Sequence, residues 1–347
     1  MSRPLLAVLF AALASPVAAQ DAPRDAGEWS WRGTYSVIVE NDKFSSFDQA
    51  KQTDRNFTNG IRFNWMSEPG LRWGPLRELA GWIPVFDASG KTRAGLGFGQ
   101  NMYTPEDISR RDLVTNDRPY SGWTYLAAAL TSDLGEGQNR GRLDTLELQV
   151  GIIGPQSYAE QTQKEYHKLI GARMPMGWGN QLKNEPGVAL FYERKWRRMR
   201  TPLPDFPLLE LDMTPHVGAS VGNVFTYGAV GATFRIGRDL GVDYGPPRIR
   251  PGLAGSLHVD PPLDRYAYYA FFGFEGRAVA RDVTLDGNTF ARSHSVNRRP
   301  LVGDLQMGVA VVVERIRGTF SYVMRTREFE DQNKPDRFGA LSISYRF

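Results

Sequence analysis

The chain of 347 residues contains no cysteine. A disulfide framework is excluded, and cohesion falls to backbone pairing and packing. Long apolar runs are missing as well. Beyond the first twenty residues no stretch approaches the ~18 consecutive apolar residues of a membrane-spanning helix, so a chain of this kind crosses a membrane only as strands. Charge of one sign is not in excess: 42 Lys and Arg stand against 38 Asp and Glu, net +4, with a pI near 9.2. That balance excludes a dedicated nucleic-acid binder and leaves a mild attraction to anionic lipid headgroups. Histidine is scarce, with four copies.

What is present begins with a secretory signal over residues 1–20: Arg3 as the basic n-region, Leu5 to Ala14 as the apolar h-region, and Val17, Ala18 and Ala19 as a small-residue cleavage site. The remainder, 21–347, reads as one all-β unit. Mean hydropathy is low, at −0.40, yet segments of roughly ten residues alternate apolar with small or polar residues, as expected where one strand face meets lipid and the other a polar lumen. Phe57, Ile61, Phe63 and Trp65 share a face opposite Thr58, Gly60, Arg62 and Asn64, with Asn59 as the polar member of the apolar side. Leu146, Leu148, Val150 and Ile152 alternate with Thr145, Glu147, Gln149 and Gly151, and Leu305 to Val313 repeats the pattern.

The same rule predicts about twelve strands, near 31–41, 55–67, 93–103, 121–133, 143–153, 187–198, 207–221, 224–237, 266–280, 303–315, 317–327 and 337–347. An even number suits a closed, antiparallel up-and-down transmembrane barrel whose two ends share one side of the membrane. The terminal strand ends in Phe347, an aromatic C-terminus resembling the assembly signal of bacterial outer-membrane proteins. Trp65, Trp123, Trp196, Tyr266, Tyr268 and Tyr345 stand near segment ends as candidates for interfacial girdles. With the first strand rising from the periplasm, the odd-to-even connections face outward, and 68–92 and 238–265 become long periplasmic connections.

Chemistry-bearing residues gather in the early outward connections. Ser157 to Gly171 breaks the alternation and reads as a helix, on which Gln163 and His167, four apart, share a face. Imidazole is the usual group for taking a proton from water near neutral pH. Asn41 and Asp42 open the first outward loop and Thr58 lies at the head of the second strand; their hard oxygens suit Ca²⁺. Arg118, in the run from Asn116 to Trp123, is able to pair with a phosphate or with Asp117. Strand parity brings Asn41, Asp42, Thr58, Arg118 and His167 to one outer rim.

At these residues the chain resembles the lipid A 3′-O-deacylases of Gram-negative outer membranes. The matching stretches are Glu40-Asn41-Asp42, Phe57-Thr58-Asn59-Gly60, Tyr103 to Asp107, Asp117 to Trp123, Gly151 to Pro155, Gln163 through His167 to Gly171, and Gly177 to Gln181. They occur in family order over residues 35–200. The resemblance implies a monomeric twelve-stranded barrel in the outer membrane that removes the 3′-linked acyloxyacyl group of lipid A in the outer leaflet, with Ca²⁺ as cofactor. In that picture His167 is the general base; Asn41, Asp42, Thr58 and Gln163 build the site; Arg118 faces the anionic headgroup; and Asp42, Asn41 and Glu185 hold the metal. Where the family carries an acid shortly after the histidine this chain has Arg173, with Glu185 and Glu165 as the nearest substitutes.

Two other readings compete. A phospholipase would use Ser295 as nucleophile with His294 and Asn297, in a basic loop beside Arg292, Arg298 and Arg299. A porin or plugged, non-enzymatic barrel would use the 157–171 helix only as a lid.

Overall fold

The structure is a computed structural model and describes residues 31–45, 54–70, 78, 80–135, 141–252 and 254–347. The signal segment 1–20 lies outside the described residues. Among those described, twelve strands close into one antiparallel barrel: β1 (Gly33–Asn41), β2 (Asn56–Ser67), β3 (Lys91–Thr104), β4 (Ser121–Gly135), β5 (Gly141–Ile153), β6 (Glu185–Leu203), β7 (Phe206–Gly222), β8 (Phe225–Arg238), β9 (Tyr266–Asp282), β10 (Leu301–Val313), β11 (Ile316–Arg325) and β12 (Asp336–Arg346). Each pairs with its sequence neighbours, and β1 closes on β12 in the register Val37↔Ile343. Every expected strand is present. Closure leaves no unpaired edge, which is what lets strands cross a bilayer.

The two barrel ends differ. One, here the terminal rim, carries Gly33 and Arg346; the other, the site rim, carries the odd-to-even connections. Between them the wall is apolar outside, with Leu305, Met307, Val309, Val311 and Val313 exposed on β10 while Gln306, Ala310 and Val312 are buried. The lumen is filled with ion pairs, among them Arg62–Glu147 at 2.8 Å and Arg277–Asp304 at 3.1 Å. Removing one member of such a buried pair strands a charge and costs about 3–5 kcal/mol.

Three expectations need correction. Phe57 does not face lipid: an irregularity between Phe57 and Asn59 makes Thr58 the extra residue of β2, and a bulge re-aims its neighbours. Phe57 turns inward to pack on Tyr103 and Phe338. Trp123 is no girdle residue, being buried and stacked on Tyr125 at 5.4 Å. The long 68–92 and 238–265 connections do not both hang below the barrel; residues 71–77 and 79 of the first lie outside those described. In the first, Phe86 and Ala80 pack on the outward side chains Leu130 and Leu146. The second enters the lumen as a plug.

The plug runs from Asp239 to Arg265, with residue 253 outside those described. Backbone inside a lumen needs hydrogen-bond partners, and inward-facing strand residues supply them. Arg317 donates to Ser256 O at 3.2 Å and Arg325 to Pro251 O at 3.0 Å. Pro246, Pro247 and Pro251 carry no N–H, which reduces the number of donors to satisfy. At the tip, Arg248 pairs with Glu40 at 2.6 Å and Ile249 N donates to the same carboxylate at 2.9 Å. Glu40 precedes Asn41, so the plug reaches the floor of the site rim.

Candidate active site

At the site rim the 154–184 connection carries helix α1 (Ala159–Ile170), whose buried face is Ala159, Gln163 and His167. Its entry is held against β3 and β4: Ser157 O accepts from Gln100 Nε2 and from Thr124 Oγ1, each at 2.7 Å. Gly122 makes this approach feasible, since a Cβ there would stand 2.1 Å from Ser157 Oγ and 2.4 Å from Ala159 Cβ. The helix ends at Gly171, whose left-handed backbone (φ 68°) reverses the chain. Ala172 N then donates to His167 O at 2.9 Å, and Arg173 O comes within 2.5 Å of His167 Nδ1.

A backbone carbonyl only accepts, so Nδ1 carries the proton and donates to it. That leaves Nε2 of the neutral ring as the basic nitrogen. Nε2 faces Asp54 Oδ1 at 3.5 Å. Asp54 ends the first connection, and its position was not legible as a site residue in the sequence: an acid in a polar loop signals nothing by itself. The usable signal was Gly171, which as a helix cap implies that the chain folds back over His167.

The expected oxygen donors lie next to this pair. Asp42 is buried in the turn Asp42–Ser45, where its Oδ2 accepts from Arg55 N at 3.0 Å and so closes the first connection on itself. Burial, and then the neighbouring Asp54 charge, push its carboxyl well above the usual range. Asn41 Oδ1 accepts from Lys43 N at 2.8 Å. Thr58 Oγ1 meets Thr104 Oγ1 at 2.7 Å, and Thr104 Oγ1 donates to Asp54 O at 3.4 Å. Asn56 enters β2 in the left-handed region (φ 58°), a conformation that asparagine tolerates better than most side chains. Gln163 Oε1 accepts from Trp178 Nε1 at 2.7 Å, while Gln163 Nε2 is buried without a hydrogen-bond partner among the described residues.

Other expected positions fall elsewhere. Arg118 is at the rim but fully buried, pairing with Glu328 at 3.1 Å, donating to Thr284 Oγ1 at 2.6 Å and lying 4.7 Å over the Tyr103 ring. It ties three connections together rather than facing a headgroup. Glu185 accepts from Thr289 N and Phe290 N at 2.9 and 3.1 Å, which engages it with the 283–300 connection. Glu165 is exposed and pairs with Lys168 at 2.5 Å. Arg173 extends its side chain into solvent, 4.0 Å from Asp107. The serine-histidine-asparagine set is not assembled: His294 Nε2 faces Asp117 O at 2.8 Å and Asn297 donates to Glu330 at 3.1 Å.

Beside the site opens a cleft of about 320 Å³, lined in part by Arg55, Glu106, Asp107, Arg110 and Lys334. The outer side of α1 exposes Tyr166, Leu169 and Ile170, and Tyr158, just before the helix, is exposed as well.

Comparison with known proteins adds two similarities of different kinds. A family profile described as "Outer membrane protein LpxR" matches residues 5–347. Among solved structures, LpxR from Salmonella typhimurium is similar with a TM-score of 0.71 at 20% identity, over 90% of this chain and 100% of that one. The β domain of the Bordetella autotransporter Brka follows at a TM-score of 0.46 and 10% identity, over 92% and 100% of the two chains. KdgM porin gives 0.38 and 7%, over 90% and 99%. No match was found among curated protein sequences.

Proposed function

Because the chain belongs to the LpxR family of outer membrane proteins, we propose that it is a lipid A 3′-O-deacylase whose site rim faces the cell exterior. The observation that carries this reading is the convergence on His167 Nε2. A carbonyl fixes the ring from one side and Asp54 stands 3.5 Å away on the other, near Asp42 and its chain neighbour Asn41, with Thr58 joined through Thr104 to the Asp54 carbonyl.

His167 Nε2 takes a proton from water as that water attacks the ester carbonyl. Asp54 stabilises the imidazolium that results, and the ring then returns the proton to the departing sugar hydroxyl. Gln163 Nε2, a buried donor without a partner among the described residues, is suited to the oxygen of the tetrahedral intermediate. The exposed apolar side of α1 is matched to acyl chains, and Arg55, Arg110 and Lys334 in the neighbouring cleft to an anionic headgroup.

Two nearby carboxylates, one of them buried, together with amide and hydroxyl oxygens form a donor set that fits Ca²⁺. Asp42, Asp54, Asn41 and Thr58 would hold it, and when bound it supplies Lewis-acid polarisation of the ester carbonyl. A passive pore is a poorer account of the molecule, since the plug and its ion pairs fill the lumen.

The test is mass spectrometry of lipid A incubated with the purified protein in Ca²⁺ or in chelator, for the native chain and His167→Ala. Loss of the 3′ acyloxyacyl mass, dependent on Ca²⁺ and absent in the variant, is expected. Unchanged lipid A with a correctly folded native barrel would sink the proposal.

A further inference from the structure

Among the described residues, two clusters outside the candidate active site combine metal-ligating side chains: Glu193 with His216 and Glu275, and Asp133 with His258 and Asp260. The first is already neutralised. Glu193 is paired with Lys195 and Arg250, Glu275 with Arg277, and His216 Nε2 with Glu275 at 3.0 Å, so its ligand atoms already serve one another and the neighbouring cations.

The second cluster is different. Asp133 stands near the end of β4 at the terminal rim, and His258 and Asp260 lie on the returning limb of the plug, with one ligand atom of each within 4.8 Å of the others. Each carboxylate uses one oxygen only: Asp133 Oδ1 accepts from Tyr244 OH and Asp260 Oδ1 from Arg93, at 2.7 and 2.8 Å. The second oxygen of each has no hydrogen-bond partner among the described residues. His258 is 2% exposed, yet its Nδ1 is also without a partner there. The Tyr244 ring packs edge-on at 6.4 Å and limits its rotation.

We propose that Asp133, His258 and Asp260 form a site for a borderline divalent cation of the Zn²⁺ class, which clips the plug to the barrel wall. One imidazole nitrogen and two carboxylate oxygens match three ligands of a four-coordinate Zn²⁺ site, with water as the fourth. Ca²⁺, which takes six to eight oxygens, is disfavoured. Asp260, with 44% of its side chain exposed, leaves an entry path from the terminal rim. The clip would join β4 to the connection between β8 and β9, across the mouth of the barrel, and so anchor the segment whose tip holds Glu40.

The test is isothermal titration of tag-free, chelator-stripped protein in detergent with Zn²⁺ and, separately, with Ca²⁺. His167→Ala serves as the background, so that the candidate active site contributes no imidazole. One equivalent of Zn²⁺ is expected, with affinity reduced by more than about tenfold in His258→Ala and in Asp133→Asn. Zn²⁺ should also raise the heat-denaturation midpoint of the parent but not of Asp133→Asn, a wall residue whose substitution leaves the plug sequence intact. A parent that binds no Zn²⁺, or variants that bind it as the parent does, would overturn the site. Neither readout involves ester hydrolysis, so the outcome is independent of the proposed enzymatic reaction.

Discussion

His167 Nε2 and Asp54 Oδ1 stand 3.5 Å apart although they belong to different connections of the barrel. Asp54→Asn keeps the size and removes the charge that would stabilise the protonated ring. Deacylation by Asp54→Asn is expected to fall roughly 10- to 100-fold, and by His167→Ala further, by about 10²- to 10⁴-fold. A time course of product mass at fixed Ca²⁺ measures both; a fully active Asp54→Asn would remove this carboxylate from the mechanism.

Arg173 acts through its carbonyl, and its guanidinium is largely exposed. Arg173→Ala preserves that carbonyl. Activity within about twofold and stability within about 0.5 kcal/mol are the expected results, as for ordinary surface substitutions. A large drop in rate would show that the side chain itself contacts substrate.

Gly122→Ala would drive a methyl into Ser157 Oγ and Ala159 Cβ. The barrel wall has room to remain closed, but α1 must lift, and a displacement of about 1 Å at the reacting groups costs on the order of 10²-fold in rate. Heat-modifiable migration on a gel should stay native while deacylation is lost. Full activity would mean that α1 tolerates the shift.

Asp42 has a raised pKa through burial and the Asp54 charge. Protons and Ca²⁺ therefore compete for it, and the Ca²⁺ needed for half-maximal activity should rise as pH falls, beginning above the ordinary carboxylate range near ~4. In chelator the sign reverses. A folded-state pKa above the unfolded one means that the stability contributed by the bound proton is lost as pH rises through the folded value. Melting curves in chelator and in Ca²⁺ across a pH series check this, and a Ca²⁺ requirement independent of pH would count against Asp42 as a ligand.

Glu40→Ala would leave Arg248 buried with its partner carboxylate gone. A loss of about 3–5 kcal/mol is expected for breaking a buried pair, read as a lower unfolding midpoint in denaturant. A change within about 0.5 kcal/mol would mean that water replaces the lost carboxylate.

Much of this protein was determined by sequence alone, because the information is local. A strand's two faces alternate with period two, so Leu305 to Val313 declares lipid and lumen without reference to any other strand. Twelve such segments and their parity were enough to bring His167, Asp42 and Thr58 to one rim. Tertiary structure decided what depends on closure or on backbone atoms. Asp54 meets His167 only once the first and fifth connections fold over the same mouth. The group that orients the ring is the carbonyl of Arg173, which any residue would supply and no side-chain reading could find. Arg118 carries the charge expected of a headgroup ligand, but burial between Glu328 and Thr284 commits it to holding the connections together. The Pro-rich run after β8 looked like a loop for want of alternation; it sits in the lumen as a plug because the strands' inward arginines supply the hydrogen bonds its backbone requires.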